Sequence, residues 1–333
     1  MRDNANSAWA EQGLLWAYRF APGEPAVELS PTAARACLLE PPSNGFCWLH
    51  LNLANNAAIP WLKAGVDLPD AFAEALASAT RSTRIERDEE SLIGVVNDVS
   101  FDFSFEPTDT ATLWVMADHR LLVSCRRQPL RSVDRLRGVV RRGEAFRSSV
   151  DLLAHLMRDQ ADVLIDIVRQ VSQRVDVVED QLLAGRLQTK RVRLGQMRRL
   201  LVRLQRLLAP EPGSLFRLLQ HPPAWIDDDD LQALRQSSEE FSVALRDIGS
   251  LQERIKLLQE EIAAQVAESN NRTLFLLTAV TVLALPINLT AGLFGMNVGG
   301  IPLAEADHGF LTVVLLVVVL TALLAWRMFS DRG

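Results

Sequence analysis

Two long uncharged apolar runs close the sequence, and they constrain its fold more than any other feature. Leu274 to Phe294 carries no charge over 21 residues, and Phe310 to Trp326 carries none over 17. At about 1.5 Å rise per residue, the first run reaches across a hydrocarbon core about 30 Å thick. The second reaches across with Gly309 and its flanking arginines, whose stems lie along apolar surface while their heads stay in water. Two transmembrane helices are predicted. Arg272 precedes the first, Arg327 and Arg332 follow the second, and the Gly295–Gly309 connection has no Lys or Arg. The positive-inside rule then places both termini in the cytosol and the short acidic connection outside.

The 273 residues ahead of these runs read as a soluble protein. A net charge of -6 argues against a nucleic-acid binder. The start, Met1-Arg2-Asp3-Asn4, has no apolar signal segment, so this part is expected to stay unexported. The three cysteines, Cys37, Cys47 and Cys125, form no CxxC pair and are odd in number. That suits a reducing compartment and argues against a disulfide framework. No P-loop, HExxH or nucleophile elbow supports an enzyme.

Residues 1–147 read as a mixed α/β domain. Strands are expected at Gly13–Phe20, Phe46–Leu53, Ser91–Phe103 and, in two pieces, Ala111–Val123. Helices are expected at Pro69–Ser78 and Pro129–Arg141, with a turn at Pro41–Gly45. From about Ser148 the pattern changes to long helices. Ser149–Leu183 repeats apolar residues at three- and four-residue steps, and Arg186–Leu208 is basic, with eight Lys or Arg and no acid. Pro210 and Pro212 are expected to break the helix there, Pro222-Pro223 to end a short piece, and Asp227–Asp230 to cap the next helix. That helix can run from about Asp230 to Phe294, about 100 Å, which no small domain can bury. Such a rod needs partner helices. The basic run 186–206 and the acidic run 227–261 read either as helices that attract or as two solvated faces.

A polar line runs down the first span. Steps of three and four from Asn271 give Leu274, Thr278, Thr281, Leu285, Asn288, Gly292 and Gly295, all on one side of a helix. Traced backwards, the line passes Glu260 and Glu253. Unsatisfied polar groups are costly in hydrocarbon, so this side needs a protein or water neighbour. An acidic continuation suits a cation pathway. Small residues and threonines also serve plain helix packing, and that alternative stays open. Two spans enclose no channel, so a pore would need several copies of the chain.

Gly292-Leu293-Phe294-Gly295-Met296-Asn297 ends the first span and opens the connection. A span pair at the C-terminus with Gly-Met-Asn at the outer end of its first helix resembles the CorA superfamily of divalent-cation transporters. The following Val298-Gly299-Gly300-Ile301-Pro302 is similar to the ZntB zinc-transporter branch. Trp48-Leu49-His50-Leu51 and the charged run Arg84–Glu90 also sit where that branch tends to place such segments. The resemblance implies a funnel-shaped homo-oligomer, five copies in the family, in a bacterial-type inner membrane. Its organisation would be an α/β domain (1–147), a helical region (148–229), a stalk helix (230–273) continuous with a pore-lining span (274–294), an outer loop (295–309), a second span (310–329) and a tail (330–333).

On that reading, Asn297 holds a hydrated divalent ion through its waters, because such ions dehydrate reluctantly. Gly295 permits the turn and a close approach, and Met296 braces. Glu305 and Asp307 draw cations to the outer face. Asn288 and Thr281 form further polar rings, Leu274, Leu277 and Leu285 a constriction, and Glu253 and Glu260 a cytosolic funnel. No cofactor is implied; the cation is cargo. The partners are further copies of the chain and membrane lipid, not nucleic acid.

Zinc itself rests on the resemblance. The histidines, His50, His119, His155, His221 and His308, are scattered, and only His119 and Cys125 are expected near one another, on adjacent strands. No Asp, Glu, His or Lys lies within Leu274–Phe294. Coupling to protons would therefore use Glu260, Asp307 or His308. Two alternatives stand beside zinc uptake: a channel for Mg²⁺ or several divalent ions, and a membrane-anchored coiled-coil scaffold without transport.

Overall fold

The computed structural model describes residues 12–78, 83–88, 90–105, 110–184, 190–208, 210–296, 302–303 and 307–330. It divides into two compact units, Met1–Leu258 and Gln259–Gly333.

The first unit is built on a seven-stranded mixed sheet: β1 (Leu14–Phe20), β2 (Val27–Glu28), β3 (Phe46–Asn52), β4 (Arg84–Asp88), β5 (Ser91–Val99), β6 (Thr110–Ala117) and β7 (Leu121–Arg126). Their order is β2-β1-β3-β7-β6-β5-β4, antiparallel except for the central β3–β7 pair. Period-two alternation sends Phe46 and Trp48 to one face and Cys47, Leu49 and Leu51 to the other. Both faces are covered, so β3 reads as an almost unbroken apolar run. On one side lie α1 (Pro31–Leu39), α2 (Ala58–Lys63) and α3 (Asp70–Ser78). On the other lie α4 (Arg131–Arg141), α5 (Ser149–Leu183) and α7 (Pro210–Gln220). This is a three-layer α/β/α arrangement. Gly45 has φ +86° and sits so close to Phe20 that an added Cβ would lie 2.0 Å from the Phe20 carbonyl oxygen. Only glycine fits there.

β4, α1 and α2 are among the elements that escape the expectations. The charged run at Arg84 is β4, an edge strand, and its Arg, Glu and Asp side chains guard that edge against foreign pairing. α1 begins where Ser30 Oγ accepts from Ala33 N at 3.2 Å, with Pro31 in the first turn. α2 is a short piece carrying Pro60. The break expected at Pro210 is present: the preceding helix ends at Leu208, and Pro210 opens α7.

The cysteines correct a second expectation. Cys37 of α1 and Cys47 of β3 are bonded, with Cα atoms 6.8 Å apart, and Cys125 alone is free. The bond joins a covering helix to the central sheet, a proximity that sequence spacing does not reveal.

The remaining helices are α6 (Lys190–Leu208), α8 (Asp228–Phe294) and α9 (Gly309–Ser330). The second unit holds the end of α8 together with α9, joined by a connection of which only residues 295–296, 302–303 and 307–308 are described.

Candidate cation pathway

The long helix α8 begins with a firm cap. Asp230 N donates to Asp227 Oδ1 at 2.7 Å, and the first turn carries Asp228, Asp229 and Asp230, favourable at the positive end of a helix dipole. The start of α5 fastens it: Ser148 Oγ donates to Asp230 Oδ1 at 2.8 Å, and Arg147 reaches Asp229 at 2.6 Å. Further along, Ser237 Oγ donates to the Ala154 carbonyl at 3.0 Å. Phe241, Ala244, Ile248, Leu251, Ile255, Leu258 and Ile262 are buried at alternating three- and four-residue steps. This buried line fixes which side of α8 faces away from the protein.

The polar contacts around α8 correct the charge reading. Arg254 lies 2.7 Å from Asp176 Oδ1 and also pairs with Glu179, both on α5, and these carboxylates hold its guanidinium above its ordinary pKa. Toward α6 the contact is neutral, with Gln252 Nε2 donating to Gln205 Oε1 at 3.0 Å. Among the described residues, no arginine of α6 pairs with an acid of α8. Neither run pairs with the other among these residues, so of the two readings the solvated faces fit and the mutual attraction does not.

The polar line lies on exposed surface. In the first unit Glu253 is exposed and pairs with Lys256 at 3.0 Å. In the second, Glu260, Asn271, Leu274, Thr278, Thr281, Leu285, Asn288, Gly292 and Gly295 are all exposed, as is Leu277. Thr278 Oγ1 donates to the Leu274 carbonyl at 2.8 Å and Thr281 Oγ1 to the Leu277 carbonyl at 2.9 Å. Their hydroxyl protons are therefore satisfied within the helix, leaving only oxygen lone pairs to face outward. Asn288 is different: its amide has no hydrogen-bond partner among the described residues. Pro286 lies inside the helix and removes one backbone donor without ending it.

At the end of α8, Gly295 N donates to the Ala291 carbonyl at 2.9 Å, and a Cβ on Gly295 would lie 2.9 Å from the same oxygen. Gly295 is thus crowded by the last turn of its own helix, where a side chain would meet the Ala291 carbonyl. Met296 is 51% exposed in the single chain. Asn297 and Glu305 lie outside the described residues. Asp307 is exposed. Leu303, at φ 65°, presses its carbonyl against Gly309, where a Cβ would come within 2.0 Å of the oxygen. α9 therefore starts on a glycine.

Both helices are long and apolar enough to cross a membrane, and only 6% of each apolar stretch is buried within the chain. A groove of about 1010 Å³ runs between them, lined by Leu283, Ile287, Phe294, Phe310, Val314 and Thr321. Uncovered apolar surface on this scale is foreign to a soluble monomer.

Among the described residues no three His, Cys, Asp or Glu side chains group to hold a metal. His119 is in the exposed turn after β6, its ring 6.4 Å from that of Trp225, while Cys125 is fully buried in β7 and burial pushes its thiol far up. His50 is equally buried. Its Nδ1 lies 2.7 Å from Ser124 Oγ, which also accepts from Trp48 Nε1 at 2.8 Å. Burial, with Arg126 and Arg137 nearby, holds His50 neutral. It serves the core.

A capped α/β/α unit, a helix running from it through an apolar stretch, and a second apolar helix at the C-terminus define a membrane transport protein of the two-span class. The profile of the family described as CorA-like Mg2+ transporter protein matches residues 43–330. The chain is 31% identical over 275 residues to the divalent cation transporter CmaX of Pseudomonas aeruginosa, covering 81% of this chain and 82% of that one. It is 26% identical over 280 residues to the zinc transport protein ZntB of Pectobacterium atrosepticum, covering 84% and 85%. The solved structure of full-length CmaX superposes with a TM-score of 0.81 at 26% identity, over 96% of this chain and 98% of that one. The chain belongs to the CorA family of divalent-cation transporters; it is not an enzyme, and the divalent cation is its cargo.

Proposed function

We propose that several copies of the chain, five as in the resemblance, surround one axis with the polar line of α8, and that zinc moves along this axis into the cytosol. The observation that carries the reading is Asn288. It is an unpartnered amide in the middle of an apolar helix, in line with Thr278, Thr281 and Gly292. Lipid is a poor neighbour for it, whereas a ring of copies facing water satisfies it.

The Gly295-Met296-Asn297 motif forms the mouth, where Asn297 amides hold the hydrated ion through its waters. Glu305 and Asp307 concentrate cations outside. Leu274, Leu277 and Leu285 narrow the passage, and Glu260 with Glu253 receives the ion in the cytosolic funnel. The membrane is a bacterial-type inner membrane, with both termini inside. Coupling to protons, if the cargo moves uphill, falls to Glu260, Asp307 or His308, because the first span holds no titratable group.

Similarity to ZntB supports zinc, and the family description supports magnesium as the second reading. Membership of a transporter family leaves the scaffold reading without support. The test is flux into proteoliposomes loaded with a zinc-selective or a magnesium-selective dye, with and without a pH gradient. Zinc flux exceeding magnesium flux supports the first reading, and the reverse overturns it.

A further inference from the structure

A second hollow lies in the first unit, far in sequence from the polar line. It is a groove of about 950 Å³ between the C-terminal half of α5 and the N-terminal half of α6, bounded at one side by Ser104 and Phe105. Its size is at the upper end for small-molecule sites. Its lining is one-signed: Arg174, Arg193 and Arg199 contribute to it, and no carboxylate does among the described residues. Of the acids in the same stretch of α5, Asp176 and Glu179 are spent on Arg254 of α8, and Asp180 is not part of the lining. Arg174 is not paired with an acid either. Its guanidinium lies over the Phe105 ring, 3.8 Å from the centroid.

We propose that this groove binds a nucleotide. Arg193 and Arg199, without acids beside them in the lining, suit a phosphate chain, because guanidinium groups match phosphate oxygens in a fixed fork. A bare phosphate would leave the rest of the groove unused. The stacked Arg174–Phe105 pair offers a flat platform for a planar ring. Four glutamines line the groove, each with an amide donor and acceptor able to read the edge of a heterocycle. The stretch from Gln170 to Gln181 is about 16 Å long at helical rise, enough for a base, a sugar and a phosphate chain end to end. A neutral or cationic ligand would leave the arginine charges unmet.

The test is equilibrium dialysis of the full-length, detergent-solubilised protein with ATP in EDTA, so that no divalent ion bridges ligand and protein. One saturable site per chain is expected, with adenosine and inorganic tripolyphosphate each at least tenfold weaker than ATP. Arg193→Glu/Arg199→Glu is expected to weaken ATP at least tenfold, and Arg193→Gln/Arg199→Gln, which keeps length and polarity, to do the same. Gln196→Ala is expected to weaken ATP severalfold and leave tripolyphosphate unchanged. All variants are compared only where they elute with the parent on a sizing column. The proposal is overturned by no saturable uptake at millimolar ATP, by unchanged affinity in both arginine variants, or by tripolyphosphate competing as well as ATP.

Discussion

The two units of this chain handle polar and apolar groups in opposite ways. In the first, apolar side chains are buried on both faces of the sheet, and the fully buried carboxylate of Asp98 is met. Asp98, fully buried, accepts from Ser132 N at 3.2 Å, Ser132 Oγ and Val99 N at 2.7 Å. In the second, large apolar side chains such as Leu277, Leu285 and Phe310 are exposed, and Asn288 is unmatched. On the function proposed above, lipid covers the apolar surface of the second unit and further copies cover its polar line. The difference then separates stability, which the packed first unit supplies, from transport, which the proposal assigns to the second, and substitutions can tell the two apart.

The largest effect is expected from Asn297→Ala. Dye-reported divalent flux in proteoliposomes falls to the protein-free background while the sizing-column profile is unchanged. Normal flux would remove Asn297 from the mouth. Next, Trp48→Ala, deep in the sheet core, is expected to destabilise the protein by about 3–5 kcal/mol, read by chemical denaturation. Leu277→Ala, exposed on α8, is expected to change stability by less than about 1 kcal/mol. Equal losses would erase the contrast between the units. Asn288→Ala is expected to reduce flux severalfold with little effect on melting temperature, and Glu260→Ala to reduce it less. A melting change with intact flux would assign Asn288 to packing.

The smallest effect concerns pH. Burial, aided by Asp162 and Asp98, pushes Asp159 up to about 7, and burial pushes Asp98 up to about 6. Each carboxyl holds its proton more tightly folded than unfolded, so the folded state binds more protons between about pH 4 and 7 and loses stability as pH rises through that window. Asp159→Asn is expected to flatten the fall in melting temperature between pH 5 and pH 8 by a few degrees. An unchanged slope would contradict the burial of that carboxyl.

Much of this was legible in the residues, for physical reasons that differ by element. α5 was readable to the residue because its buried side repeats at helical steps over ten turns, and β3 because an apolar run between turn residues leaves little choice. The buried side of α8, Ile248 to Ile262, followed from the same periodicity. β4 was not readable as a strand, because its role at the sheet edge demands charges rather than alternation. The start of α1 did carry its signal, Ser30 followed by Pro31. The Cys37–Cys47 bond and the use of Asp176 and Glu179 by Arg254 are tertiary facts with no local trace. The back-bonding of Thr278 and Thr281 follows from ordinary helix chemistry, and it leaves Asn288 as the more telling member of the line.

The central claim is a wet polar side on α8, and cysteine labelling in membranes tests it most directly. In a cysteine-free background, single cysteines replace Thr281 and Asn288 on the line and Leu283 and Ile287 on the side lining the groove. The account predicts fast reaction of the first pair with a water-soluble thiol reagent, slowed by zinc or magnesium, and negligible reaction of the second. Equal labelling of both sides, or none at Thr281 and Asn288, would contradict it.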